Sequence, residues 1–399
     1  MAESVATPDR VLPLAEVDRL CVRWPATGAA SAWATSRIEE VEAVWRRLAL
    51  GDLESPGQSL EFIRCWIRAL GIAQSRQLYI VGQVDGIVVA LLPLLRRRWH
   101  GVRVLSWFPG AHVGCNAPLV DRQRLASLVP TQRQALWASM RAEARGADVL
   151  YLKAVPELLV DGVDLFEGLG QSLPADTLHR AQFSSWAEAD ATQRGKTRRK
   201  HDRQQGDKLE AMGRVSLETV EAGPAHLPML ELLFRQRAAR FAEMGVRDPF
   251  CAQPIRRFYD STISAGSELK VVLHALRLDG RIIALRYNIA LGDRLFCLIS
   301  SMSTEPALQP GSPGKQCLLR VMQTLFDAGY RVFDMGAGFT DEKRHWCNVQ
   351  VLVREFHVPL SPVGWVAATL HRGLQQLRRR IKDDPRLFAA IKAMRARRP

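Results

Sequence analysis

Hydrophobic positions fall into two successive arrangements of the same kind. Apolar residues recur at Ile38, Val41, Trp45 and Leu48, and Ser59 precedes Leu60, Phe62, Ile63 and Trp66; both spacings predict amphipathic helices, over 38–48 and 59–70. Two apolar runs, 78–84 and 87–94, flank Asp85-Gly86, a dipeptide suited to a two-residue type I′ hairpin turn. A third strand is expected over 102–108, a helix over 125–144 and a buried strand over 149–155. The order then returns: helix 230–243, hairpin 269–290 turning at Asp279-Gly280, strand 295–301, helix 313–328 and strand 331–335. The pattern predicts a mixed α/β protein with one plan used twice, divided into 1–190, 191–362 and a helical tail, 363–399.

Between the halves, Arg194 to Lys208 reads RGKTRRKHDRQQGDK, dense in charge and poor in large apolar groups. It is a linker or the start of a solvated helix, and its cations either meet an acidic ligand or form a solvated face. In the tail, Leu370, Leu374, Leu377 and Ile381 form one helical stripe with Arg372, Arg378, Arg379, Arg380 and Lys382 largely elsewhere, and a second stripe follows at Leu387, Phe388, Ile391 and Met394. Such a helix either docks on the parent domain or lies on an anionic membrane.

Of 399 residues, 55 are Lys or Arg and 41 are Asp or Glu, a formal net charge of +14. That excess draws polyanions, anionic surfaces and phosphate-rich cofactors without choosing among them. With 47% hydrophobic and 24% charged residues the composition is that of a folded protein, which excludes collagen-like and low-complexity chains. The seven scattered cysteines lack a two-residue spacing, which argues against a zinc or redox pair and for a reducing compartment. Residues 1–14 lack a basic cluster followed by an apolar core, and the apolar run 86–95 is far short of the about 20 residues that span a bilayer, so the expected location is cytoplasmic.

The chemistry concentrates between Leu295 and Gly338. A strand leads through a loop into Ser312-Pro313-Gly314-Lys315, where Ser312 can cap, Pro313 fits the first turn and Gly314 keeps side-chain bulk away from free amides, so the start of this helix is an anion site. Neither G-x-x-x-x-G-K-[ST] nor G-x-G-x-x-G follows a strand, which argues against Walker-type and Rossmann sites. Cys297 and Cys317 sit in apolar elements and read as small core residues, His345 is a weak candidate base, and no metal-ligand cluster stands out.

The next strand ends in Asp334-Met335-Gly336-Ala337-Gly338, followed by Lys343 and Trp346. Asp-x-Gly-x-Gly, then lysine and an aromatic, preceded by the Ser-Pro-Gly helix start, resembles the second half of the CelD/BcsL-like acetyltransferases of the GNAT superfamily, which are related in fold to the Fem aminoacyl transferases. The basic stretch Lys196-Thr197-Arg198-Arg199-Lys200, the helix 237–241 and the hairpin about Asp279-Gly280 support the resemblance over 195–351, and 59–66 and 88–95 extend it more weakly into the first half. Glu342 stands where the family usually has a tyrosine, and only Gly311 and Gly314 of the usual diphosphate loop are kept.

The resemblance implies tandem GNAT-like domains, each a mixed, mostly antiparallel sheet flanked by helices, and transfer of an acyl group from acetyl-CoA to an amine of a small molecule or envelope-polysaccharide precursor, without metal. On that pattern Ser300 and Ser301 border the thioester, Gly311, Ser312, Gly314 and Lys315 hold the diphosphate, and Lys343 or the Arg198, Arg199, Lys200 cluster meets a terminal phosphate. Asp334 and Glu342 are the candidates for proton transfer or acceptor orientation, although Asp334 equally suits a cap of the glycine turn. Arg237 and Arg240, one helical turn apart, either bind an acidic acceptor or form an ion-paired face. Two rivals remain: a Fem-like transferase using aminoacyl-tRNA, and a non-catalytic basic scaffold.

Overall fold

Asp85 and Gly86 both have positive φ, 51° and 75°, and Asp279 and Gly280 repeat this at 47° and 79°, so both hairpins turn as their dipeptides require. The computed structural model describes residues 28–383 other than 247 and 265; the second tail stripe (Leu387, Phe388, Ile391, Met394) and residues 1–14, read above as lacking a secretory-signal pattern, lie outside the described residues.

The first half contributes β1 (Ala30–Thr35), β2 (Gln77–Val84), β3 (Ile87–Trp99), β4 (Val102–Ser106), the short β5 (Leu119–Val120) and β6 (Val149–Pro156). A small excursion, β7 (Leu159–Val160) with β8 (Val163–Asp164), leads to β9 (Ser172–Gln182). The second half contributes β10 (Val215–Glu221), β11 (Lys270–Leu278), β12 (Arg281–Leu291), β13 (Arg294–Met302), β14 (Val332–Ala337) and β15 (Val349–Pro359).

A single 13-stranded sheet runs β1-β2-β3-β4-β6-β15-β9-β14-β13-β12-β11-β10, with β5 attached to β3. Each half is four antiparallel strands followed by one parallel neighbour, β4 with β6 and β13 with β14. The fold class is therefore the expected mixed sheet flanked by helices. The strands do not divide at residue 190, however: β9 pairs with β14 of the second half, and the last strand, β15, returns to pair with β6 of the first. The halves exchange strands and meet at the β15–β9 pair.

One sheet face carries a core common to both halves, where the helix Leu60–Leu70 packs on the helix Gln253–Thr262, with Phe62 and Phe258 ring centroids 4.9 Å apart. Ser59 caps the first of these helices by accepting from Phe62 N. The opposite face is covered by Pro130–Ala142 in the first half and Pro313–Leu325 in the second. The helix expected over 125–144 is two helices, Arg122–Ser127 and Pro130–Ala142, because Pro130 cannot continue the first but suits the start of the second.

The charged segment between the halves is a helix, Lys196–Glu210, laid against the loop before Pro313. The tail helix Pro362–Asp383 packs on β15, β6 and β4 through a face of small residues, Gly364, Ala367 and Ala368, while the stripe residues Leu370, Leu374 and Leu377 are half or more exposed. Among the described residues no helix is long and apolar enough to cross a membrane.

Candidate active site

β13 and β14 are paired only from Arg294 with Val332 to Phe296 with Asp334; beyond that they part. At the opening, Cys297 pairs with Asn288 and Ile299 with Tyr287, so Leu298 is an extra residue with no counterpart on β12. Such a bulge releases backbone from the ladder and bends the strand. The opening leads into a cavity of about 440 Å³, floored by residues of β13 and β14 and walled by two first-half loops, 54–56 and 112–115. Those loops come close: a Cβ on Gly114 would lie 3.0 Å from Gly336 Cα, so the position admits glycine and little else.

The Asp334–Gly338 motif builds the cavity's far lip. Gly336 and Gly338 have φ of 75° and 85°, and Asp334 Oδ1 accepts from Gly336 N at 2.7 Å. Lys343 Nζ donates to Gly336 O at 3.2 Å and Ala337 O at 2.5 Å. Aspartate and lysine thus fix one turn from both sides. Lys343, expected at a terminal phosphate, has its ammonium occupied by these carbonyls, and burial lowers its pKa.

Three carboxylates line this cavity, and they differ in access. The side chains of Glu54 and Asp334 are 2% and 4% exposed and share Arg180, at 2.6 Å from Nη1 to Glu54 Oε2 and 2.7 Å from Nε to Asp334 Oδ2. Arg122 and Arg294 close on Glu54 from the other side. Burial works to raise the Glu54 pKa, but Arg180, Arg122 and Arg294 together hold it below the usual carboxylate range. Asp334 is therefore committed to Arg180 and to the turn, the capping arrangement, rather than open to an acceptor. Glu342 is different: its side chain is 28% exposed, and it is held by Arg286, Nη2 to Oε2 at 3.2 Å.

Arg286 sits in the middle of β12, buried, and the same Nη2 donates to Gly314 O at 3.3 Å. Burial opposes its charge, while Glu342 sustains it so that the pKa is raised. Its neighbour His274 is pushed down to about 4, by burial first and Arg286 second, and burial also raises the Cys297 thiol.

A smaller cavity of about 180 Å³ adjoins the first, sharing Arg237, Arg286, Ser300 and Glu342 with it, and is bordered by Gly314, Met302 and Arg240. Here the helix Pro313–Leu325 begins. Its first intrahelical bond is Gln316 N to Ser312 O at 3.0 Å, so helix geometry leaves the amides of Gly314 and Lys315 without intrahelical acceptors. Arg237 is partly buried over Phe241, donates to Ser300 O at 3.2 Å, and its Nε has no partner among the described residues. Free amides beside an arginine with spare donor capacity fit a diphosphate.

Several expected residues lie elsewhere. Gly311 is packed on the helix Lys196–Glu210, where a Cβ would stand 2.4 Å from Leu209 Cγ, so no phosphate reaches it. Ser312 does not cap; its φ is 48° and its Oγ accepts from Gln205 Nε2 at 2.9 Å. The Lys315 side chain borders neither cavity. Ser301 borders the smaller cavity, but its Oγ is taken up in a bond to Gln236 Oε1 at 2.8 Å, while Ser300 lines both cavities. Arg240 is exposed and paired with Glu243 at 3.2 Å, although it borders the smaller cavity. Arg198 and Arg199 are paired with Asp202 and Asp190, and neither they nor Lys200 line either cavity. His345 bonds Asp341 O on its own short helix, away from both cavities. Among the described residues no cluster of His, Cys, Asp or Glu is arranged to hold a metal ion.

Arg286, Arg180 and Glu54 escaped the sequence reading. The signal available for the first was a lone cation inside the apolar run RIIALRYNIAL, where an unpaired charge is too costly to stand without a partner.

Residues 196–344 match the acetyltransferase (GNAT) domain family, the interval that holds the Gly314 helix start, Arg286 and Glu342. Among solved structures, FemX is 12% identical with a TM-score of 0.54, covering 83% of this chain and 98% of that one. A conserved protein from Bacteroides thetaiotaomicron is 10% identical with a TM-score of 0.50, covering 81% and 97%. A tandem GNAT protein from the clavulanic acid biosynthesis pathway is 14% identical with a TM-score of 0.44, covering 84% and 99%. At these identities the likeness is one of fold. No curated protein matches the sequence.

Proposed function

We propose that this GNAT-fold acyltransferase uses an acyl-coenzyme A, with acetyl-CoA the first candidate, to acylate an amine on a small molecule or an envelope-polysaccharide precursor. The observation that carries the reading is the joint between the two cavities: Arg286 bonds Gly314 O at the helix start and Glu342 at the strand opening. An anion grip and an accessible carboxylate therefore stand on one opening, fixed by one cation.

When bound, the thioester supplies an acyl carbon activated toward nitrogen. The amides of Gly314 and Lys315 and the Arg237 guanidinium would hold the diphosphate. Arg237 thus serves the donor on this reading, not an acidic acceptor. The opening beside the Leu298 bulge admits an extended chain between β13 and β14. As the acceptor nitrogen bonds to the acyl carbon and the carbon–sulfur bond breaks, Glu342 takes the proton the nitrogen sheds and the leaving sulfur gains one from solvent. Arg286 holds Glu342 in place, and the first-half loops at 54–56 and 112–115 limit water. Most of the rate advantage is positioning, because no covalent enzyme intermediate is needed.

The test is titration of the full chain with acetyl-CoA, desulfo-CoA and bulk tRNA at two salt concentrations, read as heat or thermal shift. Saturable binding of both coenzyme A compounds, lost in Gly314→Glu, supports the proposal. Binding of tRNA alone, with steep salt dependence, supports an aminoacyl-tRNA transferase instead, and binding of neither supports a scaffold.

A further inference from the structure

A third cavity, of about 480 Å³, lies in the first half between the tail helix and the β4/β6 strand pair. Its walls are Val102 and Val104 of β4, Val149 and Tyr151 of β6, and Ala367 and Ala368 of the helix. The helix is pinned on either side of these alanines: a Cβ on Gly364 would fall 1.6 Å from Asp148 O, and His371 Nδ1 lies 2.8 Å from His357 Nε2. Small side chains face inward while Leu370, Leu374 and Leu377 face solvent, so the apolar space beneath the helix is left unfilled.

The fully charged side chains at this cavity are all of one sign. Arg97, Arg98 and Lys153 line it, no Asp or Glu does, and none of the three is ion-paired among the described residues. Burial and the nearby Arg76 lower the Arg97 pKa, as expected for a cation without a counter-charge. Trp107, which also lines the cavity, is 4% exposed, and its indole Nε1 has no hydrogen-bond partner among the described residues. A buried donor without an acceptor is destabilising, and a ligand acceptor would satisfy it.

We propose that this cavity is a ligand site for an anionic amphiphile, its apolar body lodged against Val104, Val149 and Ala368 and its charged head met by Arg97, Arg98 and Lys153. The cavity lies on the β4/β6 pair, the counterpart of β13/β14, but it is built differently: residues 107–129 separate β4 from the helix Pro130–Ala142, and no residue of that helix lines it, whereas Gly314 of the helix Pro313–Leu325 borders the acyltransfer site. It stands apart from the acyltransfer reading, although the two sites share a loop, with Trp107 and Gly110 on one and His112 on the other.

The test uses the full chain, following tryptophan fluorescence and heat on addition of dodecyl phosphate below its micelle concentration, dodecyl maltoside, or inorganic phosphate. Saturable one-to-one binding of dodecyl phosphate, at least tenfold tighter than either other compound, is expected. Ala368→Trp, which fills the cavity, should abolish it, and Lys153→Glu, at an exposed position that leaves the fold intact, should weaken it at least tenfold, with coenzyme A binding unchanged in both. Inorganic phosphate binding as tightly, the neutral detergent binding as tightly, or undiminished binding in both variants would each overturn the proposal. Phosphatidylglycerol vesicles added in place of dodecyl phosphate distinguish the source: a wild-type signal lost in Lys153→Glu assigns a membrane lipid, and inert vesicles beside a binding monomer assign a free amphiphile.

Discussion

Arg286 Nη2 lies 3.2 Å from Glu342 Oε2, and this bond crosses from the middle of one central strand to the short helix that follows the glycine turn. Nothing adjacent in sequence brings the two together. Arg286 is buried and Glu342 is its ion-pair partner, so the carboxylate and its arginine form one unit.

Glu342→Gln should lower kcat/KM by about 10²-fold, since the lost group is a proton acceptor, and should also lower the melting temperature, because Arg286 is left buried without its counter-charge. Arg286→Lys should lose nearly as much, because an ammonium cannot span both Glu342 and Gly314 O. Steady-state rates with acetyl-CoA across a panel of amines provide the check.

Gly314→Glu should weaken coenzyme A binding at least tenfold yet leave the fold intact. A Cβ at 314 would stand 3.0 Å from Met302 Sδ, the flexible tip of a side chain that can move aside. Calorimetry of binding, paired with a thermal melt, separates the two effects.

Much of this architecture was legible because it rests on local rules. Asp-Gly hairpins announce themselves through the positive φ they supply, and Ser59 announces a helix start. β9 was not legible: SLPADTLHRAQ has a proline, two polar pairs and no run of β-branched residues, and it is a strand because β14 and β15 lie on either side of it. For Lys196–Glu210 a helix was one of two readings, but its packing was hidden, since its burial comes from Leu209 against Gly311 and its polar ties from Gln205 to Ser312 and from Gln316 to Asp202 O. At the site, the Gly314 helix start and the Asp334 turn could be read from spacing. Arg180, Glu54 and Arg286 could not, because their partners come from distant segments.

Arg180→Met strands Glu54 and Asp334 as buried charges without their shared cation, which should cost about 3–5 kcal/mol. Urea unfolding measures this directly. Glu54→Gln is the milder change, and it also carries a pH signature. The folded carboxyl is more acidic than its ordinary value of 4.5, so its contribution is complete above that pH and is lost as the pH falls through the folded value. Wild type should therefore lose stability on acidification below 4.5 more steeply than Glu54→Gln.

His274 defines a higher window. Its folded pKa of about 4 lies below the ordinary 6.5, so the unfolded chain takes up a proton first and stability falls between those values as the solution is acidified. The loss should approach about 3 kcal/mol. His274→Gln, which can keep the contact with Asn288, should flatten that part of the curve.

Gly364→Ala tests how the tail helix is held. Alanine favours a helix by about 1 kcal/mol over glycine, but here the added methyl would meet the backbone carbonyl of Asp148 at 1.6 Å and cannot be accommodated. The variant should lift the helix from β15 and β6, seen as rapid proteolysis within 362–383 while the remaining sheet stays resistant.

The crossing of β9 and β15 has a consequence for how the chain is made. When β6 leaves the ribosome its outer edge has no neighbour, and the segment that will cover it, Val349–Pro359, is synthesised last before the tail helix. An uncovered apolar edge invites pairing with other chains. Nascent molecules must therefore carry that vulnerability through about half of translation, from residue 156 to residue 349, and shielding the β6 edge over that interval would protect yield.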